Sequence, residues 1–354
     1  MIEFVSAAER MKGEKQKRLA LAARVLQFNV PVLDDALDGI LPVDLVLVGA
    51  ATGAGKTHLV GLIAQENARR RKRVAMFALE AHENEIEQRL KYREVVHEFF
   101  LAGGRNHPEL DTLSYTAWWM GRLEQLLGPY EAKAEATMAA RYATLRTFYR
   151  GAEFTIDDIE RLFMSVEGTV DMIVLDHIHY VDDEDENENR AGKKIMKRIR
   201  DVALCMQVPV IVVAHLRKKD RAAKLLIPDI DDFHGTSEIT KIATKVAVLA
   251  PAIGWKPGKA EHAGNVTHLH GTYMAIRKDR FSGPKHHVMR AVFNSRTGQY
   301  ANDYEIGRVY GSEFKQSFGD DVPGWAKKAI RSPMSTPTTD TPAPVEREPG
   351  SDDE

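Results

Sequence analysis

From Val46 to Thr57 the chain reads Val-Leu-Val-Gly-Ala-Ala-Thr-Gly-Ala-Gly-Lys-Thr: an apolar run enters a glycine-rich turn, closes on Gly-Lys-Thr and leads into a helical pattern to about Arg70. Strand, turn and helix in that order make a phosphate-binding loop. The backbone N–H groups of Ala51, Thr52, Gly53, Ala54 and Gly55, with the positive end of the following helix, form a cradle for nucleotide phosphates. Lys56 adds a point charge, and the Thr57 hydroxyl is placed to ligate Mg²⁺. The usual pattern opens on glycine; here that place holds Ala50, with Gly49 one residue early. An accidental Gly-Lys-Thr turn is the competing reading, and the strand before it and the helix after it argue against that reading.

Three further apolar strands end on polar groups. Val74 to Leu79 ends at Glu80, Asp171 to Leu175 at Asp176, and Val208 to Ala214 at His215. Near-continuous apolar strands belong to a parallel sheet covered by helices on both faces, and ligands in such sheets bind at the carboxyl ends of the strands. Glu80, Asp176 and His215 are therefore expected at one edge, beside the phosphate loop. The fold class expected is α/β, with a mostly parallel central sheet flanked by helices and an antiparallel hairpin (Thr272–Ile276 with Val288–Phe293) near its C-terminal end.

Before the phosphate loop, Ser6-Ala7-Ala8-Glu9 reads as a capping box opening one helix to about Leu26, either an arm or a packing helix of the same domain. Residues 83–150 read as mostly helical. Tyr115, Trp118 and Trp119 there lie at helical spacing, which favours packing over base stacking. Val181 to Arg190 is too polar for anything but an exposed loop. Leu216 to Gly235 carries Arg217, Lys218, Lys219, Arg221 and Lys224, a basic loop suited to phosphates or simply to solvent. His262, His268 and His270 lack the spacing of a metal site and read as surface loop.

Composition limits the rest. The 354 residues are 44% hydrophobic, enough for a sizeable core, and no run of 18 apolar residues is present to span a membrane. The single cysteine, Cys205, expected in a buried helix, excludes an intramolecular disulfide; with no signal-like N-terminus, the location expected is the cytoplasm, of a bacterial or phage-infected cell. Net charge is −2, but Thr336 to Glu354 holds six acids against one arginine, which leaves the remainder at +3. The Pro, Thr, Asp and Glu composition beyond about Ser332 cannot bury a core, so that tail is expected to be disordered and either partner-binding or without a role.

With these motifs in order, the chain resembles the RecA-type motor domain of hexameric replicative helicases, the DnaB-like group that includes phage primase-helicases and Twinkle. The resemblance spans about Asn29 to Tyr300, and DnaB-type helicases also carry alanine at the first phosphate-loop position. It implies a RecA-like P-loop NTPase that uses ATP and Mg²⁺, with Glu80 polarising the attacking water. It also implies that Asp176 holds Mg²⁺ through water and that His215 senses the γ-phosphate. Asp232-Phe233-His234-Gly235-Thr236-Ser237 is similar to the segment lining the central channel, where Gly235 would meet DNA with the basic loop. Lys278-Asp279-Arg280-Phe281-Ser282-Gly283 is similar to the hairpin that reaches a neighbour's nucleotide, with Arg280 as the finger and Lys278 assisting.

The expected organisation is an N-terminal arm at 1–28, a motor domain at 29–331 and a tail at 332–354. The expected activity is an ATP-driven helicase translocating 5′ to 3′ on single-stranded DNA as a homo-oligomer, most simply a hexamer. Loader, primase or polymerase partners are implied, the more so because the primase or helical N-terminal domain usual in relatives has no counterpart in this sequence. Two departures stand out: the acidic run Asp182 to Glu188 would repel DNA and is expected to point away from it, and the N-terminal region is short. The rival readings are a RecA-like regulatory or scaffolding ATPase and a recombinase filament.

Overall fold

The computed structural model of the chain describes residues 4–51, 53–151, 153–182, 188–216, 227–233, 237–253, 255, 268–311 and 313–329. Thr52, the DNA-loop candidates Arg217, Lys218, Lys219, Arg221, Lys224 and Gly235, most of the acidic run and the whole tail lie outside them.

The N-terminal segment is two short helices, α1 (Ala7–Arg10) and α2 (Glu14–Ala22), where one was expected. The Ser6 side chain does cap α1 by accepting from the Glu9 amide. Gly13 then adopts a left-handed φ of 71° and breaks the run. Neither helix buries a residue, but the chain joins the core before residue 29: Leu26 bridges to Ile40, and Leu26 and Phe28 are buried. Helix α3 (Pro31–Leu37), with proline in its first turn, fills the segment before the sheet.

The remaining elements follow in chain order: β1 (Leu45–Ala50), α4 (Lys56–Arg69), β2 (Val74–Ala78), α5 (Glu85–Leu101), α6 (Tyr115–Trp119), α7 (Glu124–Leu127), α8 (Glu131–Arg141) and β3 (Leu145–Tyr149). Then come α9 (Ile156–Ser165), β4 (Met172–Asp176), α10 (Glu188–Met206), β5 (Val210–His215), α11 (Ser237–Ile242), β6 (Lys245–Pro251), β7 (Leu269–Asp279), β8 (Val288–Asn294), β9 (Gln299–Tyr310) and β10 (Glu313–Gln316). The strands form one sheet in the order β10-β9-β8-β7-β6-β1-β5-β4-β2-β3. The run from β6 to β3 is parallel, and β7 to β10 continue it antiparallel. The expected hairpin is present as β7 and β8, with Thr272 opposite Ala291. The strands β3, β9 and β10 were not anticipated; β3 is only partly buried and follows a helical stretch, which hides it from a period-based reading.

Alternation explains the apolar runs. Along β1, Val46, Val48 and Ala50 enter one core with α3, α4 and α5, while Leu45 and Leu47 enter the other with α9 and α10. A third cluster around Val95, Phe99 and Leu127 gathers α5 to α8. Tyr115 and Trp118 belong with it, their rings 5.9 and 5.8 Å from that of Tyr92, whereas Trp119 is 60% exposed. Helix α10 begins at Glu188, inside the run expected to be loop. Cys205 sits in α10 as expected but is exposed rather than buried, because Val202 and Ala203 take the inward positions.

Asp34 in α3 accepts a hydrogen bond from the Phe28 amide at 2.6 Å. Burial pushes its carboxyl up from 3.8 to about 6, despite the Phe28 and Asn29 amides and the cations Lys328 and Arg70. Between those values the folded chain holds a proton that the unfolded chain has lost, so stability falls as pH rises through the window and the penalty is complete above it. Asp34→Asn keeps an acceptor without the charge. It should gain about 1–3 kcal/mol of unfolding free energy at pH 8 and nothing near pH 4, measured by urea titration at both values. An equal gain at the two pH values would show that ionisation of Asp34 is not the cause.

Candidate active site

The phosphate loop leaves β1 at Ala50 and enters α4 at Lys56. Gly53 and Gly55 have φ of 79° and 86°, left-handed values that need glycine. Gly49 has a separate reason to be glycine. A Cβ there would lie 2.3 Å from the Phe233 ring, so the segment after the basic loop packs directly on β1.

Lys56 is buried, and its Nζ donates to the Ala50 and Ala51 carbonyls at 3.2 and 3.3 Å and meets His215 Nδ1 at 3.0 Å. Burial lowers its pKa, against the pull of Glu80 and Asp176. His215 reaches it because β5 lies beside β1 with His215 opposite Ala50. On the far side of β5, β4 ends at Asp176, which pairs in register with Ala78 of β2. The three strand ends named from the sequence therefore do meet at one edge beside the loop.

Asp176 is 1% exposed, and both its carboxylate oxygens are buried with no well-formed hydrogen bond among the described residues, the Thr57 hydroxyl lying beside them. Burial pushes this carboxyl up to about 6 and Glu80 adds to the rise, while the Thr57 hydroxyl and the Lys56 ammonium oppose it. A buried carboxylate with open acceptor positions beside a hydroxyl is the oxygen-donor set of a hard divalent cation, so Thr57 and Asp176 fit Mg²⁺. Glu80, two residues past β2, is exposed to the site.

Two histidines here were missed from the sequence. A carboxylate oxygen of Glu80 and ring nitrogens of His177 and His215 all lie within 4.8 Å of one another. The His177 and His215 rings are 3.8 Å apart between centroids, and His179 stacks parallel to His215 at 5.8 Å. The available signal was His-Ile-His directly after the strand-ending Asp176.

Arg280 and Lys278 lie elsewhere. Asp279 pairs with Lys245 at the start of β6, and the Arg280 amide donates to the Thr244 carbonyl. That is the opposite edge of the sheet from Ala50, roughly 16 Å away along β1 at ~3.3 Å per residue. Arg280 is exposed there, while the Lys278 ammonium is held by the Thr240 and Lys241 carbonyls at 2.9 and 2.7 Å, at the end of α11. Neither side chain reaches the phosphate loop of its own chain. The basic loop itself lies outside the described residues, but its flanks are tied together by a bridge between Leu216 and Phe233 at the carboxyl edge.

A parallel core ordered β6-β1-β5-β4-β2-β3, with the phosphate loop after β1, a strand-end carboxylate on β4 and a polar strand end on β5, defines a RecA-like P-loop NTPase. Solved structures share this fold: an ATPase domain at 14% identity and TM-score 0.60, covering 85% of this chain and 99% of that one. A DnaB-like replicative helicase described with its interactions with primase matches at 14% identity and TM-score 0.62, covering 83% of this chain and 68% of that one. The profile of the DnaB-like helicase C-terminal domain matches residues 26–302, and the chain belongs to that family. No curated protein sequence matches it. Among the described residues no helix is long and apolar enough to cross a membrane.

Proposed function

We propose that this chain is the ATP-hydrolysing motor of a ring-forming replicative helicase that moves 5′ to 3′ on single-stranded DNA. The observation that carries the reading is the meeting of Lys56, Thr57, Glu80, Asp176 and His215 at one sheet edge, in a member of the DnaB-like helicase family. The loop amides and Lys56 bind the phosphates of ATP, and Glu80 orients the attacking water. Mg²⁺, held at Thr57 and Asp176, would neutralise charge on the β- and γ-phosphates. His215 links the phosphate to the strand β5, whose next residue, Leu216, opens the basic loop. Phosphate state at Lys56 thereby reaches Arg217, Lys218, Lys219, Arg221, Lys224 and Gly235, the residues proposed to hold DNA. The arrangement is a homo-oligomer, most simply a hexamer, and a primase, loader or polymerase is the kind of partner such a motor meets.

Addition of single-stranded DNA should stimulate ATP hydrolysis; unstimulated hydrolysis would favour a regulatory or scaffolding ATPase. Negative-stain images should show closed rings, and filaments would instead favour a recombinase. Lys56→Ala should weaken nucleotide binding by about tenfold to a hundredfold, the worth of one charge-assisted contact. A fluorescent nucleotide bound at wild-type affinity would remove Lys56 from the cradle. Replacing Lys218, Lys219 and Arg221 together by Ala should shallow the slope of log affinity against log salt by roughly 0.7 per lost phosphate contact on single strands. An unchanged slope would move the DNA site away from this loop.

A further inference from the structure

We infer that Glu80, His177 and His215 form a binding site for a zinc-class divalent ion, separate from the oxygen donors of Thr57 and Asp176, and that filling it arrests hydrolysis. Only the arrest rests on the ATPase reading; the site stands on geometry. The three donor atoms lie within 4.8 Å of one another. His177 is fully buried, and its Nε2 has no hydrogen-bond partner among the described residues. Two imidazoles and one carboxylate are a ligand set of zinc sites that keep a fourth position open. Mg²⁺ prefers oxygen and octahedral geometry, so the imidazole pair selects the softer ion while Asp176 and Thr57 suit Mg²⁺.

The donors follow or end three neighbouring strands, β2, β4 and β5, whose register is set by the sheet. Only His215 lies within a strand, while His177 and Glu80 follow β4 and β2, so closing on an ion draws the Glu80 and His177 side chains inward by a small shift of the turns that carry them. Glu80 and Asp176 supply negative charge, and Lys56, 3.0 Å from His215 Nδ1, opposes it. A metal on His177 Nε2 places the ring proton on Nδ1, at the loss of only a long bond of 3.4 Å from the His179 amide. With the ion bound, the Glu80 carboxylate is no longer free to orient water, and His215 is drawn from Lys56.

The test is Co²⁺ titration of the nucleotide-free full chain carrying Cys205→Ser, which removes the only thiol, followed by displacement with Zn²⁺. The expected result is one ion per chain with the visible absorption of low-coordinate Co²⁺. Glu80→Gln and His177→Ala should each weaken it at least about tenfold, the least that losing one of three ligands should cost. Lys56→Ala should tighten it by about tenfold, because a facing positive charge is removed. Should His177→Ala fail to fold by circular dichroism, Glu80→Gln at an exposed position decides alone. Undiminished binding in the folded variants assigns the ion to histidines elsewhere and overturns the site. Zn²⁺ in the presence of excess Mg²⁺ should also slow ATP hydrolysis of the wild-type chain, reversibly with a zinc-selective chelator. Unslowed hydrolysis with the Co²⁺ signal intact overturns the arrest; no hydrolysis at all with the signal intact counts against the motor reading and leaves the site standing.

Discussion

Arg280→Ala should bind ATP normally, form rings and hydrolyse about a thousandfold more slowly, the scale of an arginine finger supplied by a neighbour. The position of the residue is the reason to expect the neighbour. Arg280 is held at the Thr244 edge of the sheet, roughly 16 Å along β1 from the phosphate loop. It is exposed, and burial lowers the pKa values of Arg200 and Lys278 with the Arg280 charge adding to the fall, against Asp44 and Asp201 at Arg200. Exposed at that edge, Arg280 is free to meet an anion from outside the chain, and in the proposed ring that anion would be the next subunit's nucleotide. Lys278, tied to two carbonyls of α11, would then act by placing the hairpin rather than by touching phosphate. Mixing Arg280→Ala with Lys56→Ala subunits should restore part of the turnover, because some interfaces then pair an intact cradle with an intact finger. Mixed rings as inactive as either parent would sink the assignment in trans.

Glu80→Gln should retain ATP and single-stranded DNA binding and lose about a hundredfold or more in turnover. The carboxylate lies at the edge of the site and is exposed, close to His177 and His215, where water has access and phosphate contacts are left to Lys56 and the loop. A group that acts on water in the transition state lowers the rate when removed and leaves ground-state binding alone. The amide preserves the shape and removes the base. Rapid-quench hydrolysis alongside equilibrium binding would separate the two effects, and a variant that turns over at the wild-type rate would assign the base to another group at the same edge.

What could be read directly from the residue order was whatever depends on local pattern. The phosphate loop shows itself because strand, glycines, lysine and helix are consecutive. The apolar runs ending in Glu80, Asp176 and His215 showed a parallel sheet because side chains alternate between two cores and both are apolar. Their meeting at one edge followed from the rule for such sheets, and the register of Ala50 with His215 and of Ala78 with Asp176 bears it out. Strand β3 and the break at Gly13 escaped because a short half-buried strand and a single left-handed residue leave weak periodic signals. The exposure of Cys205 depended on which face of α10 the sheet covers, and the glycine at 49 on an aromatic ring that arrives from Phe233, far along the chain. The same holds for His177 beside His215 and for Arg280 at the far edge from Lys56. Contacts between residues distant in sequence are decided by strand order and register, which only the folded sheet specifies.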